Sequence, residues 1–186
     1  MSICALRFAE MSETLRGQLL VAAPILHDPN FHRTVVLVAE HGEEGAMGLV
    51  LNRPSGTSVG DALPELASLT GEAEPVYVGG PVALESVLAV AELDDPDDAS
   101  VLLFGTVGFV QEPDVPVLRG RIFVGYAGWS AGQLEAELEE ESWLVLPAEP
   151  DDLFGEDSDG LWSAVLRRQG GAYALLALMP VDPSLN

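Results

Sequence analysis

Arg121–Trp143, RIFVGYAGWSAGQLEAELEEESW, reads as a strand, a glycine turn and a helix closed by a second tryptophan. Ile122, Val124 and Tyr126 alternate with Arg121, Phe123 and Gly125, the two-residue period of a strand. Gly125 and Gly128 bracket the expected turn, where a missing Cβ permits unusual dihedrals or close backbone approach. Ser130, with Gln133 three residues on, predicts an N-cap and capping box, and Trp129 and Leu134 fall at the positions of a hydrophobic staple. Ala131, Leu134 and Leu138 form a narrow apolar stripe, and glutamates take most of the remaining surface.

Outward from this unit the chain is β-rich before it and helical after it. Gly17–Ala23 and Thr34–Ala39 are apolar runs of strand length, the second β-branched enough to be buried on both faces. His41–Gly45 predicts a hairpin loop returning through Ala46–Leu51, which Asn52-Arg53-Pro54 ends. A short helix is expected within Val59–Leu69, strands at Val76–Val78 and Val87–Leu93, and an acidic turn at Asp94–Asp98. Val101–Val110 is β-like with breaks at Gly105 and Gly108, and Gln111–Val117 is a proline-punctuated loop. Trp143–Leu146 predicts a further strand, and Asp151–Asp159 an acidic loop anchored by Leu153 and Phe154. Leu161, Trp162, Val165 and Leu166 share a helical face that Gly170-Gly171 stops, and Ala172–Met179 fits strand or helix equally. Early strands and late helices without strict alternation predict an α+β fold.

The 186 residues fit one domain, expected over 15–186 behind a flexible lead-in at 1–14. Charge is the outlier. Thirty acidic residues face eight basic ones, all arginine, for a net charge of −22. Protein affinity for nucleic acid comes largely from cations on phosphate, so direct DNA or RNA binding is not expected, nor attachment to an anionic membrane. Cys4 is the single cysteine, which rules out an intramolecular disulfide. No signal-peptide pattern and no apolar run of bilayer length stand out, so the expected location is cytoplasmic.

The segments GQLLVAAPILHDPNFHRTVVLVAEH, GAMGLVLNRP, VYVGGPV and GYAGWSAGQLEAEL occur in that order. Together they closely resemble the bacterial YqgE/AlgH family over most of the chain, from Leu15 to about Gly171. The resemblance implies a β-sheet bent into a pseudo-barrel with helices packed outside. It implies no established enzymatic activity and no cofactor; one branch of the family carries a proposed role in transcriptional regulation. The short, proline-rich loop before Arg121 departs from the longer, partly helical insert that the family pattern leads one to expect.

Several residues carry candidate chemistry. His27, His32 and His41, with Asp28 and Glu40, can be drawn as a metal site, but the spacing matches neither HExxH nor a zinc finger. Turn and surface roles are expected instead, and no metal. Gly128-Trp129-Ser130-Ala131-Gly132 matches the G-x-S-x-G elbow of serine hydrolases, yet no histidine follows His41 to complete a triad. Gly79-Gly80-Pro81 lacks the lysine and hydroxyl of a phosphate-binding loop and predicts a tight turn. Gly125, Gly128 and Ser130 are assigned structural roles in the same way. Arg33, Asn52 and Arg53 either bind an anionic group, pair with the glutamate-rich helix, or tie loops to the core. With Tyr126, Trp129 and Gln133 they make up the expected binding face for an unknown protein or small molecule, in a non-catalytic binding or regulatory domain. The alternative is an enzyme acting on a small molecule in a cleft near the Asn52-Arg53 and Tyr126-Trp129 loops.

Overall fold

The computed structural model describes residues 14–179; Cys4 and nearly all of the expected lead-in lie outside that range. One long strand joins everything else. β9, Val117–Ser130, runs for 14 residues, and its two halves serve different neighbours. The preceding strands are β1 (Gln18–Ala22), β2 (Val35–Gly42), β3 (Gly45–Val50), β4 (Pro54–Ser58), β5 (Pro75–Val78), β6 (Val82–Leu93), β7 (Val101–Phe104) and β8 (Val107–Val110). β10, Trp143–Pro147, follows. They form one curled sheet of order β10-β1-β2-β3-β9-β6-β8-β7, with β4 paired to β5. Near its end β9 pairs antiparallel with β3, Ala127 opposite Gly48 and Ser130 opposite Gly45. Along its first part it pairs antiparallel with β6, and Phe123 and Val124 also pair with β5 in parallel.

Helices cover this sheet, giving the α+β architecture with a bent, mostly antiparallel sheet. They are α1 (Val59–Ala62), α2 (Ala67–Thr70), α3 (Gln133–Glu139), α4 (Pro150–Phe154), α5 (Leu161–Gln169) and α6 (Gly171–Leu176). Strand alternation sorts the apolar residues between faces. Leu19, Val21, Val35 and Leu37 point to a core that also holds Phe123 and the α5 residues Trp162, Val165 and Leu166. Leu20, Ala22, Val36 and Val38 point to the opposite core, with Trp129, Trp143 and the α3 residues Leu134 and Leu138. A third cluster places Val59 of α1 and Leu69 of α2 against Ile122 of β9. β2 is therefore buried on both faces, as its β-branched run predicts.

The expected turn at Gly125–Gly128 is instead continuous strand. Partners on both edges hold the chain extended, and Gly125 absorbs the local irregularity with φ +67°. Ser130 is not the N-cap of α3. Its backbone ends the ladder with β3, a turn through Ala131 and Gly132 follows, and the helix starts two residues later, with Gly132 as cap at φ +76°. Half of the expected capping box survives: the Ser130 N–H donates to Gln133 Oε1 at 3.1 Å, and Ser130 Oγ donates to the same oxygen at 3.2 Å. Ala131 is exposed, not part of the buried stripe.

Asp151–Asp159 is not all loop. Pro150 at N1 starts α4, where the Glu149 N–H donates to Asp152 at 2.8 Å. Asp152 is buried and receives both Arg168 Nη1 (2.7 Å) and Nη2 (2.9 Å), which fastens α4 to α5. Gly79-Gly80 fills the gap where β9 changes partners. Gly79 N–H donates to the Val124 carbonyl at 2.9 Å, and Val50 N–H donates to the Gly79 carbonyl at 2.8 Å. A Cβ on Gly80 would run into the Tyr126 carbonyl carbon and the Ala127 nitrogen.

Candidate functional site

A concavity of about 650 Å³ lies where β5 and the start of β9 meet α2 and the end of α4. Gly120 brings its walls together, because the α2 backbone at Leu69 approaches so closely that a Cβ there would strike the Leu69 carbonyl oxygen. Arg121 sits in the wall of this cleft with only 5% of its surface exposed. It shares a strand face with Phe123, which is fully buried, and this places a guanidinium at the margin of the main core.

Arg121 Cζ lies 4.1 Å from the centroid of the Tyr77 ring, and Nη2 donates to the Gly155 carbonyl at 3.0 Å. Among the described residues no carboxylate lies within ion-pair distance of it. Burial pushes its pKa below the ordinary arginine value, while the charges of Tyr77 and Glu74 oppose that shift. Tyr77 is itself fixed, its hydroxyl 2.9 Å from Ser158 Oγ. Arg119, two residues back on β9, is ion-paired: Nη1 meets Asp151 at 2.7 Å and Nε meets Glu92 at 2.7 Å, and these bonds raise its pKa. Two hydroxyls in the lining are also engaged, Ser68 with the Pro113 carbonyl and Thr70 with the Gly71 carbonyl. Glu74 and Glu156 add negative charge to the rim, and Leu69, Val117 and Phe154 supply apolar wall.

The residues of the expected binding face lie elsewhere. Asn52 is buried and ties two strand ends together: Oδ1 accepts from the Val35 N–H at 3.0 Å and Nδ2 donates to the Arg33 carbonyl at 2.9 Å. Arg33 stacks on Trp162 at 4.1 Å and donates to the Met179 carbonyl at 2.6 Å. Arg53 donates to the His32 carbonyl at 2.7 Å, and together with Asn30, Gly80, Pro81 and Leu84 it lines a shallower groove of about 470 Å³. Trp129 is buried; its Nε1 and that of Trp143 both donate to Glu137 Oε2, at 2.9 and 2.8 Å. Gln133 donates to the other oxygen of Glu137 at 2.9 Å. Tyr126 is half-buried and packs against the main core. Neither Arg33 nor Arg53 pairs with the glutamate-rich α3.

Arg119 and Arg121 are bound around the cleft, and Glu139, Glu140 and Glu141 at the end of α3 are exposed. His41 is more than a turn residue. Its Nδ1 accepts from the Leu15 N–H at 3.1 Å and its Nε2 lies 2.9 Å from Glu135, so it fastens the start of the described chain to α3. No group of three or more metal-ligating side chains occurs among the described residues. Ser130 Oγ meets only Gln133, not a histidine. No helix among the described residues is long and apolar enough to cross a membrane.

Sequence reading missed Arg121 and Tyr77 as a site. The available signal was a pair of arginines, Arg119 and Arg121, opening an otherwise apolar strand in a chain with eight cations. The ring partner of Arg121 is 44 positions away and reaches it only through the parallel pairing of Tyr77 with Phe123.

Comparison with known proteins matches residues 19–174 to a family model described as AlgH-like. A UPF0301 protein of Streptomyces coelicolor is 47% identical over 93% of this chain and 96% of its own length. A UPF0301 protein of Mycobacterium leprae is 44% identical over 91% of this chain and 90% of its own. Among solved structures, a Corynebacterium diphtheriae protein superposes with a TM-score of 0.83 at 31% identity, covering 96% of this chain and 100% of its own. The solution structure of the AlgH protein from Pseudomonas aeruginosa gives a TM-score of 0.70 at 33% identity, covering 92% and 97%.

Proposed function

The chain belongs to the AlgH-like family, and from that premise we propose that it is a non-catalytic binding domain whose small-molecule ligand occupies the Arg121 cleft. The observation that carries this reading is Arg121 itself, a buried cation without a carboxylate partner among the described residues, in the wall of the 650 Å³ cleft. A buried charge is costly unless it is paired, so a site of this kind favours occupancy. The cleft also has the size of a small-molecule site, which spans roughly 300–1,000 Å³. Binding is favoured over covalent catalysis because the Ser68 and Thr70 hydroxyls in the lining donate to backbone carbonyls, not to a base. The −22 charge favours a regulatory output, where there is one, that runs through a protein partner and not through DNA contact.

A metabolite-library screen followed by amide NMR on the full chain tests this reading. A ligand that saturably shifts the Gly71, Gly120 and Arg121 amides and is recovered unchanged is the expected result. Ligands that cluster only at the Arg53–Leu84 groove would move the site. Conversion of a bound compound into product would replace the binding domain with an enzyme.

A further inference from the structure

We propose that the cleft takes a small monocarboxylic acid with an apolar side group and a hydrogen-bond donor, of the amino-acid or hydroxy-acid class. The inference rests on the reading of the cleft as a binding site and deepens it. A guanidinium has five N–H donors in one plane. In Arg121, Cζ lies over the Tyr77 ring, and a single bond, to the Gly155 carbonyl, uses one donor. The remaining in-plane edge matches the fork geometry of a carboxylate, which a guanidinium binds through two parallel bonds. Stacking on Tyr77 holds the fork in one orientation before the ligand arrives, which lowers the ordering cost of binding.

The surroundings decide among anions. Arg119 is neutralised by Glu92 and Asp151, so Arg121 is the one cation in the lining without an ionic partner among the described residues. Glu74 and Glu156 sit in the same lining. A phosphate ester or a polycarboxylate would place further negative charge against them, within the field of a chain of charge −22. A single carboxylate satisfies Arg121, and an ammonium or hydroxyl on the same molecule gives Glu74 or Glu156 a donor. Leu69, Val117 and Phe154 leave apolar wall for the side group.

Titration of the full chain with phenylalanine, phenyllactate, phenyllactamide as the neutral amide, inorganic phosphate and citrate tests the proposal, read by calorimetry and by NMR of the Arg121 guanidinium and the Gly120 amide. Phenyllactate should bind at least tenfold more tightly than phenyllactamide, and both acids more tightly than phosphate or citrate. Arg121→Lys keeps the charge but not the fork, and should weaken the acids at least tenfold. Because that substitution touches a buried residue, the acid-against-amide comparison on the unaltered protein decides the matter by itself. Phenyllactamide binding the cleft as well as phenyllactate would overturn the carboxylate inference and leave the binding reading standing. Tighter binding of citrate or phosphate would overturn the single-carboxylate inference. Silence of every probe at the cleft would overturn the ligand class, while the wider library screen tests separately whether the cleft binds anything.

Discussion

Arg121 Cζ lies over the Tyr77 ring, 4.1 Å from its centroid, although 43 residues of chain separate the two. The parallel register that sets Tyr77 beside Phe123 makes this contact. Tyr77→Phe keeps the ring and deletes the bond to Ser158, and should cost about 1–2 kcal/mol. Tyr77→Leu also removes the cation–π contact and ring volume, and should cost roughly 2–4 kcal/mol. Urea denaturation compares the two; equal losses would mean that the hydroxyl, not the ring, supports the arginine.

Glu137 accepts both indole N–H groups of the Trp129–Trp143 pair, whose rings meet edge-on at 6.0 Å. Glu137→Ala strands two donors beside a buried cluster and should destabilise by roughly 2–4 kcal/mol. Glu137→Gln retains a carbonyl oxygen and should lose less than half as much. Tryptophan fluorescence during unfolding reads the change where it occurs, and near-wild-type stability of Glu137→Ala would show that water replaces the carboxylate without cost.

Glu139, Glu140 and Glu141 sit exposed at the carboxyl end of α3, where the helix dipole is negative. The arginines that could have paired with them are engaged at the cleft. The double substitution Glu139→Gln/Glu140→Gln should therefore stabilise the protein at low salt, by roughly 0.5 kcal/mol, with the gain fading as salt screens the repulsion. Thermal melts across a salt series that show destabilisation instead would point to a cationic partner at this end.

Gly80 and Gly132 both have positive φ but differ in surroundings. At Gly80, with φ +155°, a Cβ meets the β9 backbone at Tyr126 and Ala127; at Gly132, with φ +76°, it meets nothing within 4 Å. Gly132→Ala should cost about 1–2 kcal/mol from backbone conformation alone. Gly80→Ala adds a collision with backbone that cannot rotate away, and should cost more than about 3 kcal/mol or prevent folding. Similar melting temperatures for the two variants would show that the Gly79-Gly80 segment can shift away from β9.

Local sequence determined those parts of the protein whose cause lies within a few residues. The β2–β3 hairpin, double burial of β2, the acidic turn at Asp94–Asp98 and the apolar face of α5 follow from period, turn chemistry and glycine placement. Motif order was also enough to expect the family and its bent sheet. Where local signals competed with long-range pairing, pairing prevailed. Ser130 has the chemistry of a cap, but a turn through Ala131 and Gly132, with Gly132 at φ +76°, follows the β3 ladder and moves the helix start two residues beyond it. Gly125 and Gly128 look like the ends of a turn, but partners on both edges kept the strand running through them. The Asp151–Asp159 run looked like loop because its helix is one short turn, held by Arg168 from the next helix. The cleft depended most on tertiary structure. Arg121, Tyr77, Gly155 and the α2 backbone come from four separate stretches, and only the parallel β5–β9 register and the close approach at Gly120 bring a guanidinium, a ring and a cavity together.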